Sequence, residues 1–249
     1  GLKAQALTNL ISHLNDLLHR QVVQVLADQM QMNLHHACWL AFGSQGRGEQ
    51  TIATDQDNGL IFESDTPEQD RPRWLAFAQA VNQWLDACGY PLCKGFIMAS
   101  NPQCCLTAQE WSQRFEHWMA HGAPQDLLKA SIYFDFQPIA GNHGLATALR
   151  ELITRRAQGL PRFLKQMADN ALSHSPPLSW LGGLETHEVL GRSVIDLKMQ
   201  GTTLFVDAAR LMALAHGVSQ VGTRSRLMAV GQALALSAQE TQAWATGFE

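Results

Sequence analysis

The chain has 249 residues, 46% of them apolar and 16% charged, and a net charge of -4 with histidine neutral. That length supports one large core or two modest ones, and the composition excludes a disordered or fibrous chain. The acidic balance argues against a broad nucleic-acid footprint, which shows an excess of Lys and Arg, and no apolar run reaches the roughly 18 residues of a membrane helix.

The opening GLKAQALTNL has neither an initiator Met nor the charged, apolar and cleavage regions of a secretory signal, so Gly1 reads as the edge of an excised domain. Residues 5–32 carry Leu7, Leu10, Ile11, Leu14, Leu17, Leu18, Val22, Val25 and Leu26 at helical spacing and predict an amphipathic helix. Residues 37–42 form a short apolar run ended by Gly43, a buried strand, and a second strand is expected to start near Asp55 and continue through Leu60, Ile61 and Phe62. Pro67 and Pro72 mark a loop; residues 74–88 return to helical spacing and Gly89 is the stop.

Residues 95–99 read as a third apolar run closed by the Asn101-Pro102 turn, residues 111–121 as a helix, and residues 131–139 as a fourth strand. Beyond that the pattern is helical throughout: 145–157, 161–171, 193–199, 203–216, 223–236 and 238–248, with a loop at Pro176-Pro177 and Gly182-Gly183. The pattern gives an N-terminal helix (1–35), a part in which strands and helices alternate (36–140) and an all-α part (141–249). The five cysteines, with Cys104 and Cys105 adjacent, fit reduced thiols in a cytoplasmic protein; a zinc site from Cys88, Cys93, Cys104 and Cys105 lacks any C-x2-C pair.

The chemistry concentrates in LAFGSQGRGEQTIATDQDNGLIF. Glycines at 43, 46 and 48 permit close backbone approach, free N–H groups of such a turn cradle phosphate, Ser44 adds a hydroxyl and Arg47 a positive charge. Asp55 and Asp57 stand two apart, which on a strand sets both carboxylates on one face. Two carboxylates so close repel unless a hard cation lies between them. Taken alone, Asp-x-Asp in a glycine-rich segment is more often a solvated turn; the strands on both sides favour a site.

The spacing Gly43-Ser44, ten residues, then Asp55-x-Asp57 resembles the active-site motif of the polymerase-beta-like nucleotidyltransferase superfamily. Within it, GSQGRGEQTIATDQDNGLI resembles a nucleotidyltransferase family related to the PII signal-protein uridylyltransferases, whose members are often fused to CBS or cyclic-nucleotide-binding domains. GFIMASNP, IYFDFQPIAG, Asp196-Leu197-Lys198 and Ala209-Arg210-Leu211 resemble further segments of that family. The chain departs from the superfamily pattern at Gln56 and Asn58, where apolar residues are usual, and from the family at Gln137 and Asn142, where Arg and Asp are common.

The resemblance implies, for residues 36–140, an α+β nucleotidyltransferase-like fold with a mixed sheet and flanking helices, followed by a helical substrate-binding domain, with regulatory domains upstream. It implies Mg2+ or Mn2+, two ions during turnover, on Asp55, Asp57 and a third carboxylate. The pattern of SIYFDFQPI points to Asp135 for that role, with Tyr133 and Gln137 on the same strand face, the alternative being a structural ion pair. Gly43, Ser44, Arg47 and Lys94 are the expected nucleotide contacts, and Lys198 and Arg210 the expected substrate contacts. His117 and His121 lie four apart on a helix, but without the Glu of a metalloprotease motif they are weak metal candidates.

The expected activity is transfer of a nucleoside monophosphate from a nucleoside triphosphate (ATP or UTP) to a hydroxyl of a protein or small molecule, releasing pyrophosphate. Two alternatives remain at this level: a nucleotide-sensing module without turnover, and a structural role without magnesium-dependent nucleotide binding.

Overall fold

The structure is a computed structural model that describes residues 4–52, 54–172, 187–189, 192–194 and 201–248. The elements run α1 (Ala4–Gln29), β1 (Ala37–Ala41), α2 (Gly43–Gly46), β2 (Asn58–Phe62), α3 (Pro67–Ala87), β3 (Cys105–Thr107) and α4 (Ala108–His121). They continue with α5 (Pro124–Ala130), β4 (Gln137–Gly141), α6 (His143–Gln158), α7 (Pro161–Leu172), β5 (His187–Val189) and β6 (Arg192–Val194), then α8 (Thr203–Ala215), α9 (Thr223–Ala233) and α10 (Ala238–Phe248). The chain divides into two units, Gly1–His117 with Ala130–Ile153, and Trp118–Lys129 with Thr154–Glu249.

The first unit holds a four-stranded mixed sheet in the order β3-β2-β1-β4. β1 pairs antiparallel with β2 and with β4, while β2 and β3 run parallel. Period-2 alternation along β1 directs Ala37, Trp39 and Ala41 into one core with Leu60 and Phe62 of β2. α1 closes that core through Val22, Val23 and Leu26, and α3 through Phe77, Val81 and Leu85, each a fully or nearly fully buried side chain stabilising by roughly 1.5–3 kcal/mol.

A second, aromatic cluster joins Phe42, Trp111, Phe115, Tyr133 and Phe134 by ring contacts of 5.0–6.1 Å. Trp111 locks it to the sheet by donating its indole N–H to Leu60 O at 3.0 Å. Gly59 admits the Phe42 ring, since a Cβ there would stand 2.7 Å from two ring carbons.

In the second unit α8 packs against α7 and α9, and α9 against α10. The last contact is close: a Cβ on Gly231 would meet Thr241 at 2.5 Å. Arg162 donates to the carbonyls of Ala120 (2.9 Å) and Gly122 (3.1 Å), satisfying groups that the end of α4 leaves open. Among the described residues, no helix is long and apolar enough to cross a membrane.

Four local expectations need correction. α3 begins at Pro67 rather than residue 74, because proline is pre-set for a first turn and Glu68 and Asp70 complement the helix dipole there. The apolar run 95–99 is a loop, and the third strand is Cys105–Thr107. Residues 131–139 do not form one strand: Ser131–Phe134 is a 3-10 turn and β4 starts at Gln137. The cause is Arg150, whose guanidinium takes the carbonyls of Phe134 and Phe136 at 2.7 Å each and lies 3.7 Å over the Phe136 ring. Finally, His187–Val189 and Arg192–Val194 pair antiparallel where no strand was expected; residues 195–199 of the helix expected at 193–199, and the loop expected at Pro176-Pro177 and Gly182-Gly183, lie outside the described residues.

Candidate functional site

β1 runs into α2, a single helical turn in which Gly43 adopts φ 58°, a left-handed conformation that glycine enters without a Cβ penalty. Gly46 N–H to Phe42 O and Arg47 N–H to Gly43 O, both 3.0 Å, close the turn. The first N–H groups of such a turn, here of Gly43, Ser44 and Gln45, have no acceptor within it, which is the arrangement that receives anionic oxygen.

The paired carboxylates lie just before β2, which starts at Asn58 and not near Asp55 as the pattern suggested. Along residues 55–58, Asp55 is exposed, Gln56 buried, Asp57 half-buried and Asn58 buried. Exposure thus alternates at a two-residue period, with Asp55 and Asp57 the more exposed of the four. Asp57 O accepts the Phe42 N–H at 2.8 Å, which ties this segment to the glycine turn. The two are in close approach, since a Cβ on Gly43 would stand 3.5 Å from Asp57 Oδ2. The buried Cys93 thiol, pushed up chiefly by desolvation, also interacts with Asp57.

Asp135 is fully buried and its Oδ2 meets Arg47 Nη1 at 2.7 Å. Arg47 reaches from the glycine turn and also binds Glu49 through Nε at 2.7 Å. Gly46 lies directly on Asp135, for a Cβ there would be 2.0 Å from Asp135 O. The structure thus joins Gly43 to Asp57 and Arg47 to Asp135. Among the described residues, no three His, Cys, Asp or Glu side chains gather as a metal cluster, and the Asp135 carboxylate is engaged by Arg47.

The remaining expected residues divide between the two units. Ser44 is half-buried within α2, and Lys94 is exposed in the turn that follows Cys93. Arg210 is buried in the second unit and pairs with Asp207 at 2.6 Å, one turn earlier on α8. Lys198 lies outside the described residues. All five cysteines are free thiols; burial pushes Cys38 and Cys105 up to about 12.

Two groups of residues near the site were not expected from the sequence. α1 contacts the turn through Asp16, whose carboxylate accepts from Gln45 Nε2 (3.1 Å) and Gln137 Nε2 (3.1 Å). Burial raises Asp16, only partly offset by those hydrogen bonds. Beside it, His19 is lowered to about 4 by burial, and its Nδ1 lies 3.2 Å from Gln45 Nε2. An amide N–H facing Nδ1 makes that nitrogen the acceptor of a neutral ring. The second group is Gln56, Asn58 and Asn82, three buried carboxamides in mutual contact. Asn82 had a legible signal: it falls on the apolar stripe of α3 with Ala78, Val81 and Leu85, where an unpaired polar group is costly.

As to a cation, the donor set is hard oxygen, which suits Mg2+ or Mn2+; beside Gly43 the Asp57 carboxylate shares the contact with the Ile132 side chain, 3.1–3.2 Å from where a Cβ would stand. Two protein carboxylates with phosphate oxygens completing the shell are compatible with these residues.

A mixed sheet with flanking helices, a glycine turn after its first strand, paired carboxylates at the entry to the second and a helical C-terminal region later in the chain is the architecture of a nucleotidyltransferase-like protein. The chain belongs to the family described as Putative nucleotidyltransferase DUF294, whose profile matches residues 1–125. Residues 161–249 match the profile described as Putative nucleotidyltransferase substrate binding domain. No curated protein matches the chain.

Proposed function

We propose that this protein transfers a nucleoside monophosphate from a nucleoside triphosphate to a hydroxyl of a protein or small-molecule acceptor, with Asp55 and Asp57 as cation ligands. The observation that carries this reading is the approach of the Gly43 turn to the Asp57 carboxylate, 3.5 Å from where a Cβ would stand. It sets an anion-receiving turn and a cation-receiving carboxylate side by side, as a metal-bound triphosphate requires. In the reaction the acceptor oxygen bonds to the α-phosphorus, the bond to the β-phosphate oxygen breaks, and pyrophosphate leaves. Mg2+ or Mn2+, two ions in turnover, would supply charge neutralisation on the phosphate oxygens.

The chain's own groups do the positioning. Ser44 and the first N–H groups of α2 hold phosphate oxygens, with Lys94 adding charge from the neighbouring turn. Asp135 is the third carboxylate: a triphosphate that draws Arg47 to itself leaves Asp135 to accept the hydroxyl proton. Residues 36–140, with helix 1–35 against them, are the catalytic part; residues 141–249, including Lys198 and Arg210, select the acceptor. A cytoplasmic setting supplies triphosphates and keeps the thiols reduced.

The Arg47–Asp135 pair also favours a second reading, a nucleotide sensor without turnover, because a fully buried carboxylate held by arginine is a weak base. One experiment separates them. The chain is titrated with ATP, GTP, CTP and UTP with and without Mg2+, then incubated with α-labelled triphosphate and cell lysate. Label reaching an acceptor, and lost in Asp55→Asn, supports transfer. Magnesium-dependent binding without label supports the sensor, and no magnesium-dependent binding overturns both.

A further inference from the structure

Gln56 and Asn58 follow Asp55 and Asp57 one by one, and their side chains point the other way, into the protein. There they meet Asn82, on α3, at 2% exposure. Asn82 Nδ2 donates to Gln56 Oε1 at 2.8 Å and to Asn58 Oδ1 at 2.9 Å. Gln56 Nε2 donates to Asn82 O at 2.9 Å and to Tyr90 O at 2.8 Å. Asn58 Oδ1 accepts from Ala99 N–H at 2.8 Å, and Asn82 Oδ1 from Ser100 N–H at 3.1 Å.

The backbone partners leave each amide one orientation. The N–H groups of Ala99 and Ser100 need oxygen on Asn58 and Asn82, and the carbonyls of Asn82 and Tyr90 need nitrogen on Gln56. Both donor hydrogens of Asn82 and both of Gln56 are then used. The main chain of the same segment is held as well, Gln56 N–H by Pro91 O and Asn58 N–H by Ile97 O, each at 3.0 Å. Because burial alternates along residues 55–58, fixing residues 56 and 58 inward holds 55 and 57 on the more exposed side.

We propose that Asn82 is a positioning residue that, with Gln56 and Asn58, aims the Asp55 and Asp57 carboxylates for a divalent cation; this rests on the metal–nucleotide reading above. The choice of amides has a chemical reason. A buried Lys or Arg in that place would bring its own charge to the carboxylates and compete with the cation. Apolar residues would leave the N–H groups of Ala99 and Ser100 without their acceptors. Neutral carboxamides hold the geometry and add no charge.

The test compares the wild-type chain with Asn82→Asp, which keeps the shape but sets an acceptor against Gln56 Oε1 and Asn58 Oδ1, and with the milder Asn82→Ser. Three quantities are read: far-UV circular dichroism, ATP binding in EDTA, and the Mg2+ concentration giving half-maximal enhancement of ATP binding. The expected result is unchanged folded content and EDTA binding, with the Mg2+ midpoint raised at least tenfold in Asn82→Asp and less in Asn82→Ser. A merely structural role lowers all binding together through loss of folded protein, and that outcome, or unchanged midpoints, overturns the proposal. Hydrogen exchange of residues 54–58, measured without nucleotide, gives the decision even if the wild type shows no Mg2+ effect. That absence would refute the metal–nucleotide reading, and in that case the positioning claim is overturned separately if these amides stay as protected in Asn82→Ser as in the wild type.

Discussion

Two glycines of the motif turn, Gly46 and Gly48, are required for different reasons, and alanine at each measures them separately. A Cβ on Gly46 would stand 2.0 Å from Asp135 O, 2.8 Å from Asp135 C and 2.9 Å from Ala41 O. All three are backbone atoms, on β1 and on the segment entering β4, so no side-chain rotation relieves the clash. Overpacking typically costs about 1–3 kcal/mol, and with main chain on two sides we expect Gly46→Ala at or above the upper end, about 3 kcal/mol. For a unit of this size that lowers Tm by roughly 10 °C. Gly48 has φ 69° and nothing within 4 Å of its Cβ position, so Gly48→Ala carries only left-handed strain, about 1–2 kcal/mol, and Gly48→Asn less. Thermal melts followed by circular dichroism, with urea unfolding for the free energies, give the comparison. Gly46→Ala melting within about 2 °C of wild type, or Gly48→Ala proving the more damaging, would refute the close-packing argument.

Further outcomes follow from the same geometry. Asp55→Asn, at an exposed position, should leave stability within about 0.5 kcal/mol of wild type while abolishing magnesium-dependent nucleotide binding, both read by thermal shift with and without ATP–Mg2+. Arg47→Met withdraws the 2.7 Å partner of fully buried Asp135 and should cost about 2–3 kcal/mol in urea unfolding; adding Asp135→Asn should recover part of it, and strict additivity would deny the coupling. His19 sits at about 4, below its ordinary 6.5, so the unfolded chain takes up a proton that the folded one refuses. Its contribution is present above pH 6.5 and lost as pH falls toward 4, up to about 3 kcal/mol, and His19→Asn should flatten that acid limb of the urea midpoint. Asp16 acts in the opposite sense: its raised pKa means charged burial costs stability at neutral pH and the cost lifts on acidification, so Asp16→Asn should steepen the limb.

Sequence patterning exposed the long elements and concealed the short or remotely determined ones. α1, α4, α6, α7, α8, α9 and α10 announce themselves by helical spacing, and β1 and β2 by apolar runs, because each buries a face by its own periodicity. β3 has three residues and β5 and β6 three each, too few for any period to show. The break before β4 is made by Arg150, 14 to 16 residues later in the chain, and no local pattern carries that information. In the site, the two-residue alternation at Asp55 and Asp57 was legible from spacing alone, and so was a turn at Gly43. The Arg47–Asp135 pair spans 88 residues, and Gln56 meets Asn82 across 26, so partners of this kind emerge only once the sheet and α3 are packed.

Gln56, Asn58 and Gln137 look like weakened positions when set against the apolar residues and the arginine usual in similar proteins. Each is nonetheless fully engaged: Gln56 and Asn58 with Asn82, and Gln137 with Asp16 and the Gln45 carbonyl at 2.8 Å. The loss of charge at 137 is matched on the other side of the contact. An arginine at 137 would neutralise Asp16 and hold it ionised; glutamine leaves Asp16 with neutral donors and a raised pKa. At the turn itself Arg47 pairs directly with the buried carboxylate of Asp135, while Arg20 and His13 act on Asp16 through their charge without offsetting its burial. On the proposed reading the amides that anchor the segment beneath Asp55 and Asp57 add no charge of their own, while Asp135 keeps Arg47 until a triphosphate competes for it.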